Sequence, residues 1–504
     1  MIDRRELLAR AGGGALFVAM PDELLEAALD WLEAHPSLSR RALRALRGAV
    51  RGPVLTSGPG YRAARPVYNQ RFSGIRPEAV VQPLDTRDVQ AVVRWADRFG
   101  VRLRARSGGH SYAGYSTVRN GVVVDLRRLR GIRVLGGSPR AAVGAGAQLI
   151  DVYAALGRRG ATIPAGTCPS VGVGGLALGG GYGLASRKLG LTADNISGLT
   201  IVTADGRARR VDRDSGEDLF WACRGGGGGN FGIVTGFEFR AHRARSASWF
   251  SVSWPWGAAS QAIAAWQQFA PDAPDGLTSV LSLGTGGPRV AALGQFFGSP
   301  AALRRLVRPL TRVPGASLSV GSSPYFPLML RWAGCVDDGL RACHTAGTRP
   351  GGRLPRAAFH ARSDYVARPL SARARATMIR WIERRQRNPS QGSGALLLDA
   401  YGGAINRVRE DATAFVHRDQ LFSIQYLAYF GSADAGRASR AWIAGVHRAM
   451  RPFVSGEAYQ NYIDADLRSW QRAYYGANLE RLREVKARYD PDFRFRFPQA
   501  IPPA

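Results

Sequence analysis

Apolar and polar positions alternate along this chain in two textures. From Tyr68 onward, short β-rich runs are separated by helices: Val80–Pro83, Val101–Arg106 and Val122–Leu126 read as strands. Asp85 is placed to cap a helix that runs through Phe99, and Leu149–Arg159 reads as another helix. Past Arg240 the strands lengthen and the glycine turns thin out. There, Trp249–Trp254, Ser279–Leu283, Val290–Phe297, Leu396–Ala400 and Phe422–Phe430 predict strands, and Gln261–Phe269, Ala301–Leu310, Ala372–Arg384 and Arg437–Met450 predict helices. This half predicts an α+β fold with an antiparallel sheet. Residues 38–52 form a basic stretch that reads as a helix end or a surface linker.

A chain of 504 residues exceeds one hydrophobic core, so two domains are expected. With 45% apolar and 21% charged residues it is globular rather than disordered. No apolar run approaches the ~20 residues that a membrane span needs. The net charge of +31 rests almost wholly on arginine, since Lys188 and Lys486 are the only lysines. The arginines are dispersed along the whole chain, which fits a solvated surface better than a nucleic-acid footprint.

Four cysteines are too few for a disulfide scaffold at this length. Cys335 and Cys343 are close enough in sequence for a short-loop disulfide or two free thiols, and His344 beside them does not complete a metal site. Cys223 reads as a small buried residue. At the N-terminus, Asp3-Arg4-Arg5-Glu6-Leu7-Leu8 and the apolar run to Met20 resemble a twin-arginine export signal. The competing reading is an amphipathic helix over residues 3–34 with Leu24, Leu25, Ala28, Leu29 and Leu32 on one face. The location is therefore either exported or cytoplasmic.

Three glycine clusters carry the candidate chemistry. Ala141–Leu149 invites a dinucleotide-fold reading, but Leu149 stands where the third glycine belongs and no acid follows at the ribose spacing, so this turn reads as structural. Residues 166–183 are nearly half glycine, and a second cluster spans Arg224–Val234. Such loops, interleaved with Leu176, Leu178, Ile233 and Val234, suit backbone amides that crowd a pyrophosphate and a flat ring. Within turns of this kind lie His110, in Arg106-Ser107-Gly108-Gly109-His110-Ser111-Tyr112, and Cys168, in Gly166-Thr167-Cys168-Pro169-Ser170-Val171. Both side chains are nucleophiles toward an electron-poor ring, so they suggest a cofactor held through covalent bonds.

The motifs Arg106–Tyr112, Gly166–Gly183, Asp194-Asn195, Gly225–Val234, Phe359–Val366, Tyr401-Gly402-Gly403, Tyr459–Asp464 and Tyr475–Asn478, with Asp490-Pro491 and Phe495 beyond, span about Pro77 to Ile501. Together they resemble the berberine bridge enzyme-like FAD-linked oxidases of the vanillyl-alcohol oxidase fold superfamily. The resemblance implies an N-terminal segment over 1–60, a PCMH-type FAD-binding domain over 61–245, a substrate domain over 246–455 and a C-terminal return over 456–504. It also implies FAD bonded twice, by His110 at the 8α-methyl carbon and by Cys168 at C6. Arg106, Ser107, Gly108, Gly109, Ser111, Val171, Gly174, Gly175, Gly179, Asn195, Gly232, Ile233, Val234, Tyr475 and Asn478 are the further residues expected at the cofactor.

Tyr459 is the expected general base. A free phenol titrates near ~10, so it needs hydrogen bonds or positive charge to serve near neutrality, and Tyr182 or Tyr112 is the expected supporting donor. Gln425 matches a strand position where the alkaloid-cyclising member of the family carries glutamate. Glutamine takes no proton, so hydride removal from a hydroxyl-bearing carbon of a sugar or natural product is favoured, with Gln425 orienting the substrate oxygen. Val171 matches the family's oxygen gatekeeper, and its small size implies an oxidase that forms hydrogen peroxide. Oxidative C–C bond formation or desaturation is the alternative, and a non-catalytic basic binding protein is a third reading. The expected partners are a small-molecule substrate and O2, with no nucleic acid, metal or membrane span. Substrate identity and oligomeric state stay open.

Overall fold

The computed structural model describes residues 38–135, 140–287 and 289–504, so both readings of the N-terminal segment lie outside the described residues. The basic stretch is a helix, Arg40–Ala49, whose N-cap Ser39 accepts a hydrogen bond from the Ala42 N–H. Asp85 caps Thr86–Phe99 by accepting from the Asp88 N–H, and Gly100 closes that helix in the left-handed conformation. The expected helix over 301–310 is broken into Pro300–Leu306 and Arg308–Thr311. Pro309 has no N–H to continue the ladder, which accounts for the break.

The first core is built on two sheets. In one, the strand Val54–Leu55 runs antiparallel to Ala79–Val81, which pairs in parallel with Gly121–Asp125, and that with Arg102–Arg106. The other is wholly antiparallel, in the order Ile132–Leu135, Arg140–Gly144, Ile233–Arg240, Ile196–Val202, Ala208–Asp212. The turn at 144–146 is structural, as read: a Cβ on Gly146 would sit 1.8 Å from the Leu126 carbonyl oxygen.

The second core lies under a seven-stranded antiparallel sheet, in the order Ser317–Pro324, Ser246–Pro255, Arg289–Phe296, Leu277–Gly284, Ser393–Ala400, Phe422–Phe430, Ala358–Val366. Successive side chains point to opposite faces of a strand. Leu396, Leu398 and Ala400, with Phe422, Ile424, Tyr426 and Ala428, are therefore buried on the face that packs against the helices Ala259–Phe269, Ala372–Gln386 and Ala433–Met450. The intervening Leu397, Asp399, Gln425 and Tyr429 face the other way, into a cavity.

The chain then returns to the first core, where Ala458, Tyr475, Leu482, Phe495 and Ile501 are buried. Cys335 and Cys343 are joined in a disulfide, and Cys223 is buried as read. Among the described residues no helix is long and apolar enough to cross a membrane.

Candidate active site

A cavity of about 810 Å³ lies between the free face of the seven-stranded sheet and the glycine turns of the first core. That lies within the range of small-molecule and cofactor sites. One end is backbone: the turns at Ser107–Ser111, Val171–Gly175 and Gly227–Gly232 line it. They approach so closely that a Cβ on Gly108 would lie 2.2 Å from the Gly172 nitrogen. The other end is a polar and aromatic wall of Tyr112, Tyr182, Asp399, Gln425, Tyr459 and Tyr462.

His110 and Cys168 both line this cavity. The His110 ring stacks on Tyr68 with centroids 4.1 Å apart, and its Nε2 lies 3.1 Å from Ser170 Oγ. Burial pushes this imidazole down to about 3, so it is neutral and keeps a lone pair for bonding. Cys168 opens onto the lumen, and its depth there raises the thiol above its ordinary value.

Tyr459 sits at the start of the C-terminal return, held by its N–H, which donates to Ser363 Oγ at 3.0 Å. Its phenol oxygen accepts from the Gly181 N–H at 2.7 Å, the Tyr182 N–H at 3.3 Å and Asn461 Nδ2 at 2.9 Å. Gly181 needs its positive φ of 86° to turn these consecutive N–H groups onto one oxygen.

The expected support of Tyr459 by a second phenol is thus replaced by backbone and amide donors. The Tyr182 hydroxyl donates to the Ala400 carbonyl at 3.1 Å instead, and the Tyr112 hydroxyl accepts from Gln425 Nε2 at 2.6 Å. Burial is the largest influence on Tyr459 and raises its phenol; the three donors oppose that shift without reversing it.

Asp399 is the candidate group that sequence reasoning missed. It is buried on the cavity face, opposite Ser423 in the adjoining strand and two pairs along from the Leu397–Gln425 pair. Burial pushes its carboxyl up to about 7, against hydrogen bonds from Ser423 and Tyr462 that favour the ionised form. A carboxyl at that value exchanges protons readily near neutral pH. Tyr462 was missed too; its ring stacks on Tyr112, with centroids 5.4 Å apart. The signals were an acid closing the apolar run Leu396-Leu397-Leu398, and a second tyrosine three residues past Tyr459.

Of the other expected cofactor residues, Ser107, Gly108, Gly109, Ser111, Val171, Gly174, Gly175, Gly232, Val234 and Tyr475 line the cavity. Five do not. Arg106 is ion-paired to Asp125 at 2.8 Å and donates to the Ala64 and Arg65 carbonyls, which fixes the turn from behind. Asn195 donates to the Leu189 and Leu191 carbonyls, and Asn478 to those of Glu410 and Thr413. Gly179 leaves room for Asn461, whose Oδ1 would lie 2.2 Å from an added Cβ, and Ile233 is buried core. All five shape the site without facing it.

Two family descriptions match: FAD binding domain over residues 77–212, and berberine and berberine-like over residues 458–502. The Uncharacterized FAD-linked oxidoreductase YgaK of Bacillus subtilis is 36% identical over 456 residues, covering 89% of this chain and 96% of that one. Physcomitrella patens BBE-like 1 superposes with a TM-score of 0.85 at 31% identity, over 92% of this chain and 99% of that one. A chitooligosaccharide oxidase superposes with a TM-score of 0.83 at 28% identity, over the same shares.

Proposed function

Because this chain belongs to the berberine bridge enzyme-like FAD-linked oxidoreductases, we propose that it oxidises a hydroxyl-bearing carbon of a carbohydrate or glycosylated substrate, with Asp399 as proton acceptor. The chain is an FAD-dependent enzyme, and FAD supplies the hydride acceptor when bound. The glycine turns of residues 61–245 and Tyr475 from the 456–504 return would hold it, with the strands of 246–455 supplying the substrate wall. Their close-packed backbone fits a pyrophosphate, and His110 and Cys168, which line the same lumen, would tether the ring system.

The observation that carries the reading is the carboxyl of Asp399, buried on the cavity face among hydrogen-bonding side chains, where burial pushes it up to about 7. Once ionised, Asp399 takes the hydroxyl proton. Burial outweighs the three N–H groups aimed at the Tyr459 oxygen and keeps its phenol protonated, so that proton can be given to a substrate oxygen. Tyr459 is therefore the better donor, and Asp399 replaces it as base. Gln425 fixes Tyr112, and neither side chain accepts the proton. The likeness to a chitooligosaccharide oxidase supports a sugar hydroxyl over C–C bond formation, as does the absence of glutamate at position 425.

The test is anaerobic mixing of the loaded enzyme with a panel of oligosaccharides while flavin absorbance is followed. Bleaching by at least one sugar is expected; a panel that leaves the flavin oxidised rejects the carbohydrate reading. The double tether predicts that acid-precipitated protein stays yellow and that peptides carrying His110 and Cys168 share one flavin mass. A colourless pellet would reject it.

Dioxygen is the proposed terminal acceptor, giving hydrogen peroxide. Val171 lines the cavity three residues beyond Cys168. Val171→Leu should slow reoxidation by O2 while leaving flavin reduction unchanged, as stopped-flow mixing of reduced enzyme with oxygenated buffer will read. Equal reoxidation rates would remove Val171 from oxygen access.

A further inference from the structure

Behind the Ser107–Gly108 turn lies a second cavity, of about 490 Å³, shared by residues of the first core and of the disulfide-bearing segment. Six guanidiniums line it: Arg106, Arg127, Arg128, Arg130, Arg349 and Arg356. No carboxylate does. Only two approach these arginines among the described residues, Asp125 paired with Arg106 and Arg127, and Asp151 paired with Arg349 at 2.8 Å.

Four positive charges therefore stay uncompensated around one polar hollow. Among the described residues, Arg128 donates only to Gln82 Oε1, at 3.2 Å, and Arg356 only to the Ala346 carbonyl, at 3.2 Å. The Arg130 side chain has no hydrogen-bond or ion-pair partner among the described residues. Burial, and after it the neighbouring Arg127 and Arg106, hold the Arg356 guanidinium below its ordinary value. Gathering like charges around a hollow is unfavourable unless an anion completes it. Two buried polar atoms on the wall also lack partners: Arg106 Nε, a donor, and Gln148 Oε1, an acceptor.

We propose that this cavity binds a small polyanion bearing a pyrophosphate or two adjacent phosphates. The excess charge matches a ligand of three to four negative charges, and guanidinium forks pair bidentately with phosphate oxygens. The site is separate from the redox chemistry but not isolated from it. Tyr68, Ser107 and Gly108 line both cavities, and the 345–356 segment sends Leu354 and Pro355 to the large one and Thr345, Thr348, Arg349 and Arg356 to the small one. An occupant here would brace the segment that borders the substrate wall.

The test is calorimetric titration of the flavin-loaded full chain with inorganic pyrophosphate at fixed ionic strength, with citrate as a polycarboxylate of similar charge. Saturable binding at one site per chain is expected, weakened roughly a hundredfold in Arg130→Gln/Arg356→Gln, since each lost charge-assisted bond is worth about tenfold. Arg130→Gln alone, at an exposed position whose replacement leaves the fold intact, should weaken it measurably. No saturation, or equal affinity in wild type and both variants, overturns the site. Citrate binding as tight as pyrophosphate overturns the phosphate assignment. None of these readouts needs turnover, so they stand apart from the oxidase reading.

Discussion

Replacing Asp399 with asparagine should slow substrate-driven flavin reduction by about 10²–10⁴-fold, the range that a positioned general base supplies. Asparagine keeps the shape and the contact with Ser423 but takes no proton. In the unaltered enzyme the reduction rate should rise with pH through about 7, where burial places this carboxyl, because only the ionised form accepts the hydroxyl proton. The variant should lose that rise.

Stability moves the other way. A carboxyl whose folded value is raised favours the neutral form, so the folded chain loses stability as pH climbs from the ordinary carboxylate range to about 7. The amide of Asp399→Asn has no such proton to lose and should escape that decline, so the variant melts no lower than its parent at pH 8. Stopped-flow reduction and thermal denaturation across pH 5–9 check both halves. A variant that reduces its flavin at the parental rate would return the base role to Tyr459. Tyr459→Phe, in turn, should impair reduction without abolishing the pH dependence, since it removes a donor.

Much of the glycine-lined end of the cavity was legible in the sequence because its parts are local. A glycine turn that packs backbone against backbone announces itself in four or five consecutive residues, as Ser107–Ser111 and Gly172–Gly175 do. The same locality misled at Arg106 and Asn195, which sit inside such motifs yet hold the turns from outside. A motif records which residues travel together, not which way each one faces. Asp399 was hidden for the opposite reason. Its strand was evident, but its meaning depends on pairing with the 422–430 strand and on a sheet face closed over by the first core, and neither fact is local. The break at Pro309 and the helix at Arg40–Ala49 show the smaller errors: a proline inside an apolar period, and a basic run whose buried Ala42 and Leu46 were outnumbered by arginines.

Lys486→Met should destabilise the fold by about 3–5 kcal/mol, the cost of leaving one partner of a buried ion pair uncompensated. Lys486 is fully buried, and its ammonium donates to Asp490 Oδ2 at 2.6 Å, to the Asn230 carbonyl at 2.5 Å and to the Phe495 carbonyl at 2.9 Å. Asp490 in turn accepts from the Arg494 and Phe495 N–H groups. One lysine thus ties the C-terminal return to the glycine loop that borders the cavity. Methionine matches the volume but strands the Asp490 carboxylate. The double variant Lys486→Met/Asp490→Leu should regain part of the loss, because no charge is then left buried. Urea denaturation of the three proteins reads the difference directly. A single variant within about 1 kcal/mol of its parent, the scale of an exposed pair, would reduce this one to a peripheral contact.

That tie has a bearing on biosynthesis. Tyr459, Tyr475 and Phe495 wall the cavity, and Ile501 donates its N–H to Asn230 Oδ1 at 3.0 Å. A nascent chain that has not yet exposed residues 459–501 outside the ribosome tunnel leaves this cavity open on one side. Cofactor capture should therefore wait until those residues have emerged, and a transcript truncated ahead of the Tyr475 codon should yield a colourless protein.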